Sequence, residues 1–584
     1  TADVTANLPT EQLYLEIAYG SVLHYMPVTP FVLRIFYQSR DVTYIGGTDY
    51  LCNGIQSYKL TGNKPAPWTS EISLDGGRSW TTTLPAWITS ITRNSDGDYN
   101  DDGVPDMDHC RATIARQTAK ANQHEAALKK AAAVTNYNLA SSTGAGAALE
   151  NTANCYVVNA PGTYMLPLTY RNAIKNGAFN TEAYQPTSLS GLNTLSPFHD
   201  HSGTPITHPW ISSKYTPADA CLVWQDAPGL ITNVTLISNL WLSFKVDRAT
   251  IKQGNAIIAV RDASGTILWS WHIWVTDYRL GTELKTIDNG RGRQYTVTPQ
   301  FLGWCHHDEY EGRSVLVRIT QTESGFSRTF SLNQLAYTFG DNPYYQWGRK
   351  DPMLPLIPTV SSTTIAGGYS SDNKPCYTDS DKTGYAFTSR NMSITTPEYG
   401  RNGYPYTRFS DLIQQPYCMD AGYENRNSYM DFRYTNLWSA NSGFTDENYS
   451  LPPQPVKTVY DPCPAGYCVP PTGIFYGFSL TGKATTNSGD YNIRSSSSCG
   501  IEFYCGPNKS GDTIFFPYTG YRNSATSTYK GLVGQFGYAW SANPSDMEAG
   551  YGMSYSHASP QTSLMPLRGM QRGMGAPVLP MKEQ

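Results

Sequence analysis

Charge is scarce in this chain. Of its 584 residues only 15% are Asp, Glu, Lys or Arg, against roughly 25% in an average soluble protein. The two signs nearly cancel, 43 basic residues against 47 acidic, for a formal charge of −4. Cationic runs are missing as well: Arg291-Gly292-Arg293 and Arg349-Lys350 stand isolated. Nucleic acid requires a concentrated basic footprint, so no nucleic-acid partner is expected. Apolar runs are short, and segments 256–260 and 266–275 fall well below the roughly 18 residues of a membrane-spanning helix. Long Ala/Glu/Lys/Leu/Arg repeats are lacking, which excludes a coiled coil. The signatures of common catalysts are also missing: no G-x-S-x-G elbow, no phosphate loop, no G-x-G-x-x-G after a strand and no H-E-x-x-H. Paired carboxylates for glycoside hydrolysis need only meet in space, and nothing singles out such a pair. The expectation is a protein that is not an enzyme.

Aromatic residues are abundant, with 42 Tyr, 19 Phe and 13 Trp, alongside 50 Gly and 38 Pro. That much apolar surface argues against disorder, and the Gly/Pro punctuation points to a mainly β, loop-rich chain of about three or four domains. The 11 cysteines are an odd number, so at least one thiol is free or pairs between chains. Cys463/Cys468 and Cys499/Cys505 are the local pairs that could bridge or share a zinc. Only the first approaches the usual ligand spacing, and that marginally.

Along the chain, segments 12–18, 31–37 and 44–58 read as short strands. Segment 68–80 reads as a hairpin around Asp75-Gly76-Gly77, and 111–117 as a closing strand. This describes an Ig-like β-sandwich over 1–120, and Pro67-Trp-Thr-Ser-Glu71 with Asp75-Gly-Gly-Arg-Ser-Trp80 resembles BACON-type modules in a general way. Segment 122–133 is the one convincing helix, with Glu125 four residues before Lys129. Together with the Gly/Ser/Ala stretch 141–148 it makes 121–148 a helical and flexible linker. Strands resume at 155–158, 163–168, 220–225, 241–246, 256–262 and 266–275. In the last, Trp269, Trp271, Ile273 and Val275 share one face, and Leu268, Ser270, His272 and Trp274 the other. Apolar residues on both faces predict a central strand covered on both sides. From about 285 onward a hairpin-like pair (314–321 and 325–334) precedes a long Gly/Ser/Tyr/Asn territory of ordered loops.

Several motifs resemble the fimbrillin-family surface proteins of Bacteroides-type bacteria. They are Asn154-Cys-Tyr-Val-Val-Asn-Ala-Pro-Gly-Thr-Tyr164, Cys221-Leu-Val-Trp-Gln-Asp226, Gly254-Asn-Ala-Ile-Ile-Ala-Val-Arg-Asp262 and Trp269-Ser-Trp-His-Ile-Trp-Val-Thr-Asp277. Downstream, Tyr345-Gln-Trp-Gly-Arg-Lys-Asp-Pro352, Tyr460-Asp-Pro-Cys-Pro-Ala-Gly-Tyr467, Phe515-Phe-Pro-Tyr-Thr-Gly-Tyr-Arg522 and Tyr538-Ala-Trp-Ser541 are similar to the major paralogous domain often fused to them. The resemblance covers roughly 136–584. It implies a fimbrillin-like β-sandwich over 149–284 and a C-terminal, loop-rich α+β domain of C-type-lectin-like fold over 285–584. Two departures stand out: Cys468 replaces the Arg that commonly follows Cys-Pro-Ala-Gly-Tyr, and Gly575-Ala-Pro-Val-Leu-Pro580 stands where the family often ends in Arg-Cys. If the family's early and late cysteines pair, Cys463 lacks that partner here.

The resemblance further implies a cell-surface or fimbria-associated structural and adhesion protein, an accessory or tip-type subunit binding host or bacterial surface ligands. Its location would be extracellular, at the outer membrane or in a pilus-like fimbrium, with any signal or lipoprotein leader lying outside this sequence. Its partners would be other fimbrial or surface subunits joined by strand addition, and a glycan or protein ligand. The alternative is a surface glycan-binding accessory protein of a polysaccharide-uptake system, using an aromatic face drawn from Tyr417, Tyr429, Trp438, Tyr449 and Tyr538.

The sharpest chemical signal is Asp96-Gly-Asp-Tyr-Asn-Asp-Asp-Gly-Val-Pro-Asp106. Asp98, Asn100, Asp102 and Asp106 supply hard oxygens at alternate positions, with Gly103 allowing the turn, so Ca2+ is the expected cofactor. An EF-hand wants Glu at its twelfth position, where His109 stands. The competing reading is a solvated acidic turn. His199-Asp200-His201 with His208, and Cys305-His306-His307-Asp308-Glu309, are dense in ligand atoms. Their spacing matches no zinc helix, and loop histidines without metal are the expectation.

Overall fold

The structure is a computed structural model. It describes residues 13–19, 22–28, 33–36, 43–46, 49–59, 64–65, 68–95, 108–114, 123–187, 193–310, 313–321, 327–334, 337–358, 371–379, 387–390, 393–395, 409–420, 434–443, 449–497, 499–522, 530–531, 533–546, 549–557 and 562–584. Strands make up 43% and helices 8%, so the chain is mainly β, in several sheets of β-sandwich type. Contacts group it into two units, Thr1–Lys120 with Glu309–Tyr337, and Ala121–Asp308 with Thr338–Gln584.

In the first unit Leu33–Phe36, Asp49–Lys59, Asp108–Ile114 and Ile88–Ser95 lie antiparallel in that order. A second sheet sets Trp68–Ser73 against Arg313–Gln321, which pairs in turn with Ser327–Gln334. Val315, Val317 and Ile319 alternate inward, as a strand's two-residue period requires, and share one buried cluster with Ile72, Ile88, Ala112 and Leu332. The hairpin expected in the third sequence region is therefore a structural part of the first. The hairpin expected over 68–80 closes through a single bridge, Ile72 to Thr81. Its turn is gathered by the Asp75 carboxylate, which accepts from Ser73 Oγ (2.7 Å), Arg78 N (3.0 Å) and Ser79 N (2.9 Å).

The second unit opens with helix α1 (Gln123–Lys130), followed by β1 (Val134–Asn138), β2 (Cys155–Val158), β3 (Gly162–Pro167), β4 (Asp219–Gln225), β5 (Thr232–Ser238), β6 (Trp241–Val246), β7 (Gly254–Arg261), β8 (Ile267–Val275), β9 (Cys376–Asp379) and β10 (Phe387–Arg390). One sheet runs β1-β3-β6-β5 and another β2-β8-β7-β4-β9-β10. Leu166, Leu242 and Phe244 from the first sheet join Ala256, Ile258, Trp269 and Trp271 from the second in one apolar cluster. Ile257 and Ala259, alternating with those, face a separate cluster with Trp224, Leu354 and Cys376. The six-stranded sheet is thus covered on both faces, and every residue of β8 is buried, as its pattern of apolar residues predicts.

The segment expected as a flexible linker is pinned to this unit. Leu128 of α1 is fully buried in the main cluster, and Asn138 Nδ2 donates to the carbonyls of Gly146 (3.1 Å) and Ala148 (2.7 Å). The expected boundary between 284 and 285 falls inside the second unit. Beyond it, Lys285–Asp288, Gln294–Val297, Met581–Lys582 and Tyr467–Cys468 form one sheet, Val297 opposite Met581. A second large cluster there joins Ile287, Tyr295, Phe478, Phe503, Phe516, Tyr555 and Met581.

Candidate functional site

Asp98, Asn100, Asp102 and Asp106 lie outside the described residues; the strands flanking that segment end on the pair Ser95 and Asp108. The other ligand-dense segments are placed. Asp200 is buried and accepts from Ser202 N (2.9 Å), Ser202 Oγ (2.7 Å), Thr204 Oγ1 (2.9 Å), Lys214 Nζ (3.0 Å) and Tyr215 OH (2.7 Å). Burial works against its charge, but hydrogen bonds from Tyr215, Ser202, Lys214 and Thr204 outweigh it and hold the carboxyl down to about 2. Its lone pairs organise the loop. His201 beside it is pushed down by burial. Cys305–Tyr310 is a strand, not the loop expected of its histidines. His306 stacks on His124 of α1 with ring centroids 4.2 Å apart, and His124 Nδ1 reaches the Asp277 carboxylate at 2.9 Å.

The tryptophan face of β8 is interior. Arg171, fully buried, lies over the Trp271 ring at 4.1 Å to the centroid and 5.0 Å from that of Tyr156. Burial draws it down to about 9, against the pull of the neighbouring Tyr156. Lys350, also buried, is paired with Asp351 (2.7 Å) and lies over Trp269 at 4.5 Å. Trp438 and Tyr538 are buried as well, while Tyr429 lies outside the described residues.

The most concentrated chemistry of the second unit is a chain of buried polar groups drawn from four of the sequence motifs. Tyr345 OH donates to His272 Nδ1 (3.1 Å), and His272 Nε2–H donates to Asn255 Oδ1 (2.9 Å). That tautomer follows from the acceptor-only oxygen of Asn255. It agrees with burial holding His272 down to about 3, and so neutral. Asn255 Nδ2 then donates to Asp226 Oδ2 (3.1 Å) and the Gly303 carbonyl (2.9 Å), and the Asn255 backbone N–H donates to Asp226 Oδ1 at 2.7 Å. Gly254 permits this approach, since a Cβ there would stand 2.7 Å from Asp226 Oδ1.

Lys374 closes the chain. Its Nζ lies 3.0 Å from Asp226 Oδ2 and 3.1 Å from Asp341 Oδ1, with side-chain exposures of 11%, 0% and 1% for the three residues. Burial opposes the ammonium, but Asp226 and Asp341 outweigh it and hold Lys374 well above an ordinary lysine. Burial pushes the neighbouring Cys305 thiol far up, so it stays neutral. Ligand atoms of Asp226, Cys305 and Asp341 lie within 4.8 Å of one another, a spacing that could hold a cation. Here Lys374 Nζ supplies the positive charge between the carboxylates. Asp226 and Cys305 were legible as motif residues, whereas Asp341 and Lys374 carried no local signal.

The Cys463 and Cys468 thiols are buried and unbridged. Asp461 orders their loop, accepting from Cys463 N and Val469 N at 2.8 Å each. No protein-family profile, curated protein or solved structure matches the chain.

Proposed function

We propose that the chain is a cell-surface or fimbria-associated adhesion protein of fimbrillin type, an accessory or tip-type subunit that joins neighbouring subunits by strand addition and binds host or bacterial surface ligands. The observation that carries the reading is that the resembling motifs depend on one another in space. Asn154 of the first motif donates to the carbonyls of Val459 (2.8 Å) and Asp461 (2.6 Å), inside and beside the Tyr460-Asp-Pro-Cys motif. Asp226, Asn255, His272 and Tyr345, one from each of four motifs, form the buried chain. A sheet edge suits strand addition: among the described residues β5 pairs only with β6, and Ile237 within it and Leu240 just after it are 56% and 43% exposed. An extended partner strand adds to such an edge by main-chain hydrogen bonds. Near the start and end of 285–584, Gln294–Val297 pairs with Met581–Lys582, which supports the lectin-like reading of that region.

Immunogold labelling of surface filaments, together with a glycan array probed with the full chain, tests the proposal. Label on filaments or their tips is expected. Specific polysaccharide binding with no filament association would replace it with the glycan-uptake reading.

A further inference from the structure

We propose that Lys374 and Asp226 become joined by an isopeptide bond that the protein forms on itself, with Asp341 carrying the protons. The three groups are assembled as an amide-forming site. Lys374 Nζ, the nucleophile, stands 3.0 Å from Asp226 Oδ2. Asp226 Oδ1 receives the Asn255 backbone N–H at 2.7 Å, a fixed donor placed where negative charge develops when a carboxyl carbon is attacked. Asp341 holds the same Nζ with both oxygens, at 3.1 Å each, and so is the base within reach of the nitrogen's protons. That asymmetry selects Asp226 as the electrophile and Asp341 as the proton carrier. Asn255 is itself fixed through His272 and Tyr345.

The chemistry balances without a further reagent. Lys374 passes one proton to Asp341, which hands it to Asp226 Oδ2, so that a neutral amine faces a neutral carboxyl; the lone pair then forms a bond to Cγ while charge gathers on Oδ1. Asp341 takes a second proton from the nitrogen and delivers it to Oδ2 as well. The Cγ–Oδ2 bond breaks and one water leaves. An ammonium and a carboxylate become an amide and water, and Asp341 ends as the carboxylate it began. Positioning replaces the activating group that amide formation otherwise needs, because a buried, oriented pair reacts at a very high effective concentration. With the carboxylates almost fully buried, reversal requires water to return to the interior. The bond would staple the residue following β4 to the approach of β9, which pair through Gln225 and Tyr377, and close the chain across 148 residues. Such a closure restricts the unfolded ensemble as a disulfide does, with no redox dependence.

Intact-mass measurement of the full chain, denatured and with thiols reduced, tests this whatever the protein binds. The chain is expected to weigh one water less than its sequence, and a protease digest to yield a branched peptide joining the segments around Asp226 and Lys374. K374M and D226A are expected to regain the full mass, and D341N to remain unjoined. Denatured mass needs no native fold, so a variant that folds poorly still reads out through the wild-type comparison. A wild-type mass equal to the sequence sum would show an ion pair only and overturn the proposal. A deficit that persists in K374M would overturn it too, by placing the water loss elsewhere, and a deficit retained in D341N would remove Asp341 as the carrier.

Discussion

Trp347 and Trp540 hold each other's strands: the indole N–H of Trp347 donates to the Ser541 carbonyl at 2.9 Å, and that of Trp540 donates to the Tyr345 carbonyl at 2.7 Å. Trp438 lies against both, with ring centroids 5.6 and 6.4 Å away, and donates to the Arg349 carbonyl at 3.1 Å. The three are fully buried, so each indole fills core volume and satisfies a main-chain acceptor from another segment.

Truncating either partner should therefore cost heavily, and the two losses should not add. W347A and W540A are each expected to lower stability by about 3–5 kcal/mol, read from urea midpoints. The double variant should fall short of the sum by about 0.5–3 kcal/mol. Strict additivity would show that the two residues act independently.

Two buried cations in the same core predict opposite outcomes. Arg171 faces the Trp271 and Tyr156 rings, so an apolar side chain of similar length removes its desolvation penalty while giving up those cation–π contacts. R171M is expected to be neutral to stabilising by about 2 kcal/mol. Lys350 compensates Asp351 at 2.7 Å, and K350M leaves that carboxylate buried without its cation, at an expected cost of about 3–5 kcal/mol. Thermal melts of both variants decide, and equal destabilisation would count against the distinction.

Acid should reveal a pair of opposed titrations. Burial holds His272 at about 3 against 6.5 for the free group, so between those values the unfolded chain binds the extra proton and stability falls as pH drops. Asp461 is raised by burial to about 6 from 3.8. Its contribution is full below 3.8 and is lost as pH rises through about 6. In the shared window the two slopes, each about 1.4 kcal/mol per pH unit at most, cancel. D461N removes one of them, so its urea midpoint should drop more steeply than that of wild type between pH 6 and pH 4. Parallel profiles would refute the assignment.

The segment carrying Asp98, Asn100, Asp102 and Asp106 is expected to bind Ca2+ through its carboxylates and carbonyls. Calorimetry should register heat on adding Ca2+, a chelator should lower the melting temperature of the loaded protein, and D102N should abolish both effects. No heat and no chelator effect would leave the segment an acidic turn.

How much was readable in the sequence depends on whether the signal was local. Strands β2 and β6 have the bounds that their apolar residues suggest, and β8 declares its central place by carrying apolar side chains on both faces. Strand β5 was missed. It is an edge strand of mostly polar, half-exposed residues, and its ladder is irregular around Asn233, whose φ is 51°. The hairpin containing Arg318 was seen, yet its partner Glu71 stands 247 residues away, and no periodicity reports so distant a register. Lys374 was invisible for the same reason. Asp341 and Asp226, which give it meaning, lie 33 and 148 residues away, and an isolated lysine in a Gly/Ser/Tyr/Asn stretch looks like any solvated one.

The two-part origin of the first unit bears on how the chain is made. Trp68–Ser73 leaves the ribosome early, but its neighbour Arg313–Gln321 follows only after Ala121–Asp308 has been synthesised. Until then the early strand presents an open main-chain edge, the kind of surface that pairs with the wrong molecule. A fragment ending at residue 120 carries that exposed edge permanently, whereas one reaching past Gln334 can complete the sheet. The order of assembly is thus inverted with respect to the order of synthesis, and a growing chain needs protection for the time it takes to make some 240 residues.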